Sequence, residues 1–347
     1  MEISSDEDED EDEALEKRVR DAAAETLVTW ALLPNTADAR HRFDDHGSDY
    51  LICDVAGRRI RVAQNRARQG ELGVTGCCVW DAAVVLARYL EWADDLRVSR
   101  TKTQATATVL DAVRGLRCLE LGAGSSCHLS HTNKEPGCGL AGLAAAALGG
   151  LAIGQSSVDM ARKNSVKECI RGFKLYSSSV LTLCCIEVTL TDRDETLFLL
   201  ERNARNFAAE HCQDHRPRRS GKMSAAVGTE ATCCSPPCAR HLDWSEPLEL
   251  DHPETPFQVI LAADCLYSLE GAAALAAVVN ALCCEPESAA FGAKVLLSQE
   301  LRAPEVLESF LEKVIRAFRV SRLPSPPTLE QAAPCVMLYR LQPRCTH

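Results

Sequence analysis

From Leu116 onward the chain alternates between two kinds of text, and no other feature restricts its fold as much. "LRCLELG", "FQVILAADCLYS" and "CVMLYRL" are short and mostly apolar, the pattern of strands buried on both faces, and "EVTLTDRD" and "KVLLSQE" read as strands beside them. Between them stand "CGLAGLAAAALGG", "ETLFLLERNARNFAAE", "GAAALAAVVNAL" and "APEVLESFLEKVIRAF". These read as helices: the first ends on Gly149-Gly150, and the last begins on Pro304 with apolar residues through position 318. Strand–helix alternation predicts an α/β fold, a mostly parallel sheet with helices on both faces. Upstream, "VWDAAVVLARYLEWADD" predicts a helix capped by Asp81, and "YLICDVAGRRIRVAQ" a hairpin about Ala56-Gly57. Ala14 to Leu33 is helix-prone.

The first strand runs into Glu120-Leu-Gly-Ala-Gly124, a turn that lets a ligand approach the backbone. Such a turn expects an acid about 20 residues on, at the end of the next strand. Asp192 is that acid, yet it stands 68 positions beyond Gly124. Two irregular stretches intervene, Ser125 to Gly137 and Leu151 to Ile186, of 13 and 36 residues. Set aside, they leave a separation of 19, and the turn reads "LELGAGCGLAG". The loop is therefore read as intact but interrupted twice, and the inserts' composition reads as translated intron. A third stretch, Arg216 to Pro237, reads as a long Ser/Pro/Cys-rich loop.

A dinucleotide would lay its pyrophosphate over the helix N-terminus. Glu120 before the first glycine repels a phosphate but attracts the ammonium of a methionine moiety. The turn and Asp192 together therefore point to S-adenosylmethionine, and away from an NAD-dependent dehydrogenase.

The net charge of −11 comes mostly from Glu2 and the run Asp6 to Glu13. These acids repel one another and predict a disordered tail. The nearly neutral remainder offers no footing for nucleic acid, and no apolar run is long enough to span a membrane. Eighteen cysteines in apolar contexts, with no signal peptide ahead of them, predict reduced thiols. "CCSPPCARH" and "CHLSH" lack paired C-x-x-C knuckles, so no metal is expected. The expected location is cytoplasmic or nuclear.

From Val79 onward the chain resembles the seven-strand protein-lysine methyltransferases of the methyltransferase-like 21 type, whose members modify chaperones and ATPases. The stretches that carry the resemblance are "GVTGCCVWDAAVVLARYLE", "LELGAG…CGLAGLAAAALGG", "VTLTDRD", "LDW" and "VILAADCLY". It implies a Rossmann-like class I fold with an antiparallel last strand, acting as a monomer on a protein substrate. It divides the chain into an acidic tail (1–20), an extension with helix and hairpin (21–78) and the methyltransferase domain (79–347). Trp80, Glu120, Gly122, Ala123, Gly124, Asp192, Trp244 and Ala263 are implied to bind the cofactor. Asp264 and Tyr267, in the D-x-x-Y motif, are implied to be catalytic. Plainer readings stand beside these: core aromatics for Trp80 and Trp244, a helix cap for Asp192, a packing residue for Tyr267. The alternative function is a binding module that keeps the fold but has lost activity through its interrupted loop.

Overall fold

The computed structural model describes residues 16–33, 48–64, 78–100, 112–122, 138–149, 188–192, 194–212, 236–244, 256–288, 290–329 and 332–344. Their elements run β1 (Lys17–Val19), α1 (Ala22–Ala31), β2 (Tyr50–Val55), β3 (Arg58–Ala63), α2 (Asp81–Arg100), β4 (Cys118–Leu121) and α3 (Leu140–Gly149). Then follow β5 (Val188–Asp192), α4 (Asp194–His211), β6 (Cys238–His241), β7 (Val259–Ala263), α5 (Leu269–Cys284), β8 (Lys294–Glu300), α6 (Pro304–Val314), β9 (Phe318–Leu323) and β10 (Val336–Pro343). Both proposed insertions, the acidic run, and Ala123 and Gly124 of the turn lie outside the described residues.

One eight-stranded sheet organises the molecule in the order β1-β9-β10-β8-β7-β4-β5-β6. Strands β4 to β8 are parallel, while β10 runs antiparallel to both β8 and β9. From β4 the chain builds outward through β5 to β6, then returns to β7 on the other side of β4. That reversal is a topological switch point, where ligands bind beyond the carboxyl ends of the strands. The arrangement is a Rossmann-like α/β fold.

Period-two alternation in the central strands feeds two cores. Cys118 of β4 and Val259 and Leu261 of β7 pack with α2, α3, α4 and the β2–β3 hairpin. Leu119, Leu121, Ile260 and Ala262 pack with α1, α5 and α6. Helix α6 buries Val306, Leu307, Phe310, Leu311 and Val314, one apolar stripe at helical spacing. Every residue of α3 is buried, and its small side chains let it lie close on β5. Ala56 and Gly57, both at positive φ, make the tight turn of the hairpin.

Several sequence expectations need correction. The sheet has eight strands because Lys17–Val19 pairs with β9 at its edge, so the tail does not extend to residue 20. Helix α1 follows, and its Glu25 meets Arg322 at 3.3 Å and the Tyr339 hydroxyl at 3.2 Å. The extension is thus packed into the main body. Helix α6 stops at Val314, and Phe318 opens strand β9, whose pairing with β10 outweighs continuing the helix. Cys238–His241 forms strand β6 beside β5. Helix α2 starts at Asp81, so Trp80 holds the capping position, its carbonyl accepting from Ala83 and Val84.

Candidate active site

The site gathers where β4, β5 and β7 end. Trp80, Glu120, Gly122 and Ala263 line one cleft, with Cys78, Val79, Ala83 and the segment Cys138 to Leu140. Gly122 takes φ +57, a left-handed turn that favours glycine. The space a Cβ would fill there belongs to Trp244, whose ring carbon Cζ2 would lie 2.9 Å away. Trp244 therefore packs behind the turn and is not part of the cleft lining.

Glu120 is 2% exposed. Its Oε2 accepts from the Gly142 backbone N–H at 2.8 Å, and the Ala141 N–H also supports it. The carboxylate thus caps the first turn of α3 from inside the cleft. Burial pushes its pKa up to about 7, and the two N–H groups only partly offset this. Gly142 is obligatory here, because a Cβ would sit 2.3 Å from Leu190 Cδ2 and 2.6 Å from Glu120 Oε2.

Asp192 ends β5, buried, and its carbonyl accepts from Leu242, which leads the chain on to Trp244. The hydroxyl of Thr191 donates to the Glu120 carbonyl at 2.6 Å, tying β5 to β4. The Cys265 thiol lies beneath Gly122 and donates to the carbonyls of Leu121 and Ala263. Burial drives its pKa well up, and the charges of Asp264, Asp192 and Glu120 raise it further. Three acids from three strand ends therefore act on one buried thiol, and that thiol is a structural group, not a nucleophile.

Asp264 sits at φ +57 just past β7 and is 3% exposed. Arg302 grips both its oxygens, Nη1 to Oδ1 at 2.8 Å and Nη2 to Oδ2 at 2.6 Å. Gln299 donates to Oδ1 at 3.0 Å, and its own carbonyl oxygen accepts from Leu266 N at 2.8 Å. Tyr267 is half-buried, its ring against Gly271 in the first turn of α5. Asp264 directly follows the lining residue Ala263, and neither Asp264 nor Tyr267 lines the cleft.

Sequence reasoning missed the second layer. Asn203 accepts from Ala63 N at 2.8 Å and donates to Cys138 O at 3.0 Å, joining the hairpin to the cleft wall. Gln64 accepts from Val79 N at 2.9 Å and steadies the opposite wall. Asn203 carried a readable signal, since it shares the buried face of α4 with Leu199, Leu200 and Phe207. No group of three or more metal-ligating side chains occurs among the described residues.

The residues fit S-adenosylmethionine on the chemistry of their donors. A buried carboxylate, paired with no cation among the described residues, faces a cleft with an aromatic wall and an open glycine turn. A cationic amino acid moiety satisfies it; a phosphate does not.

Residues 225–316 match the family described as lysine methyltransferase, a segment running from ahead of β6 through Asp264, Tyr267 and Arg302 to the end of α6. None of the curated proteins matches the chain. Among solved structures, the arsenic(III) S-adenosylmethionine methyltransferase of Chlamydomonas reinhardtii is similar at 13% identity, over 74% of this chain and 72% of that one, with a TM-score of 0.29. The CurJ carbon methyltransferase is similar at 12% identity, over 76% and 67% respectively, with a TM-score of 0.29. By its strand order the chain has a Rossmann-like α/β fold, and residues 225–316 are similar to the lysine methyltransferase family.

Proposed function

We propose that the protein transfers a methyl group from S-adenosylmethionine to a lysine side chain of a protein substrate, of the chaperone or ATPase kind that its sequence resemblance suggests. The observation that carries this reading is a cleft whose buried Glu120 lacks a cationic partner among the described residues, bordered by a segment similar to lysine methyltransferases.

When bound, S-adenosylmethionine supplies an electrophilic methyl group on a sulfonium. Glu120 would hold its ammonium end, with Gly122 giving backbone access, and Asp192 at the end of β5 would take the ribose hydroxyls. Trp80 and Ala263 wall the cleft on either side. The methyl group would pass to the lysine nitrogen as its bond to sulfur breaks, so no residue of the chain would form a covalent bond. A lysine is charged near neutral pH and must lose its proton before its lone pair can attack. Tyr267, four residues past the cleft-lining Ala263, would orient the amine, and that positioning would supply the main rate gain.

The test is incubation with methyl-labelled S-adenosylmethionine and a cell lysate, followed by mass spectrometry of the labelled bands. Methyl-lysine on a discrete protein is expected. Label appearing only on another residue type or on small molecules contradicts the reading.

A further inference from the structure

Arg302 is the least expected component of the site. It stands 38 positions from Asp264 and reaches it only because β7 and β8 are neighbours in the sheet. Its two contacts with Asp264 form a planar, two-pronged pair, the geometry that guanidinium and carboxylate share and that lysine cannot copy. Nη2 also donates to Glu300 Oε2 at 2.6 Å. The guanidinium carbon lies 5.0 Å from the centre of the Trp80 ring, over its face. One side chain therefore touches the wall that precedes α2 and the acid that follows β7.

Two further facts give this bridge a purpose. Asp264 holds a left-handed backbone at φ +57, which a residue with a Cβ adopts only when its surroundings compel it. Gln299 meets the same carboxylate and also both the carbonyl and the N–H of Leu266, so the whole turn toward Tyr267 is held from β8. Oδ1 of Asp264 is thereby held by Arg302 and Gln299 together, and Oδ2 by Arg302.

We propose that Arg302 is a positioning residue for methyl transfer: it clamps Trp80 and Asp264 in one arrangement. The proposal rests on the methyl-transfer reading above and assigns a residue that the D-x-x-Y motif does not contain.

The test has two arms. The first needs no substrate. In protein labelled with 15N-tryptophan, the Trp80 indole resonance is identified with Trp80→Phe and followed in Arg302→Lys, Arg302→Met and Asp264→Asn. The clamp predicts that each substitution moves that resonance; an unmoved resonance in Arg302→Met overturns it. The second arm measures the initial rate of label transfer into lysate protein at saturating S-adenosylmethionine. Arg302→Met and Asp264→Asn each lower this rate by about 100-fold, the cost of a misplacement near 1 Å, and the double variant loses no more than the worse single one. Because the rate is read at saturating S-adenosylmethionine, a change in donor affinity caused by a displaced Trp80 does not enter it. Arg302→Lys retains a cation and the fold and still loses at least about tenfold in rate, because the two-pronged contact is gone. Losses that multiply in the double variant, or full activity in Arg302→Lys, overturn the proposal. A wild-type protein that binds donor but transfers nothing contradicts the proposed reaction and not the clamp, which the first arm then decides.

Discussion

Glu120 and Asp264 stand at the ends of adjacent strands, are 2% and 3% exposed, and are held in opposite ways. Asp264 receives a guanidinium through both oxygens and an amide besides. Glu120 receives backbone N–H groups only, and burial lifts its pKa to about 7. A buried acid that already has its cation is part of the framework. One that has none among its described neighbours faces an electrostatic deficit that a cationic ligand removes. The contrast separates the group that builds the site from the group that meets the cofactor.

The sharpest way to break this contrast is to remove the cation from the satisfied acid. Arg302→Met strands the Asp264 carboxylate in the interior, and the expected loss is about 2–4 kcal/mol of stability in chemical denaturation, discounted because the guanidinium is a third exposed. A loss no larger than that of a surface pair would place Asp264 in a wetter setting than the one described. A smaller effect is expected on the other side of the comparison. Gly142→Ala forces a methyl group against Leu190 and Glu120, and the expected cost is about 1–3 kcal/mol by the same measurement, with donor affinity reduced because the carboxylate is displaced. Unchanged donor affinity in a folded Gly142→Ala protein would separate the first turn of α3 from the binding site.

How much of this was legible in the sequence follows from where each signal lies. The central strands could be read because both of their faces are buried, leaving runs such as "VILAA" and the "VLL" of β8 without polar relief. The strands toward the margins of the sheet could not. "KRV", "CARH" and "FRVSRL" alternate or expose polar residues, and each becomes a strand only through the neighbour it pairs with. Glu120 was legible because a glycine turn demands a chemical reason for the acid in front of it. Its capping of α3 was less so, since 22 positions separate it from Gly142. Asp264 was legible as an acid ending an apolar strand. Arg302 was not, because nothing local distinguishes a surface arginine from one that a neighbouring strand turns inward.

The central claim is that Glu120 receives the cation of S-adenosylmethionine, and calorimetric titration of the donor across pH tests it most directly. The pKa of Glu120 is raised on folding, so in the free protein its contribution favours the folded state at low pH and is lost as pH rises toward about 7. Donor binding has the opposite sign, since the cation prefers the ionised acid. Affinity should therefore strengthen between about pH 6 and 7, by up to roughly tenfold per unit, with a proton released on binding. In Glu120→Gln the affinity at neutral pH should fall by about 2 kcal/mol or more, and the slope should vanish. A Glu120→Gln protein that binds S-adenosylmethionine as tightly as the wild type, with the same pH slope, would contradict the account.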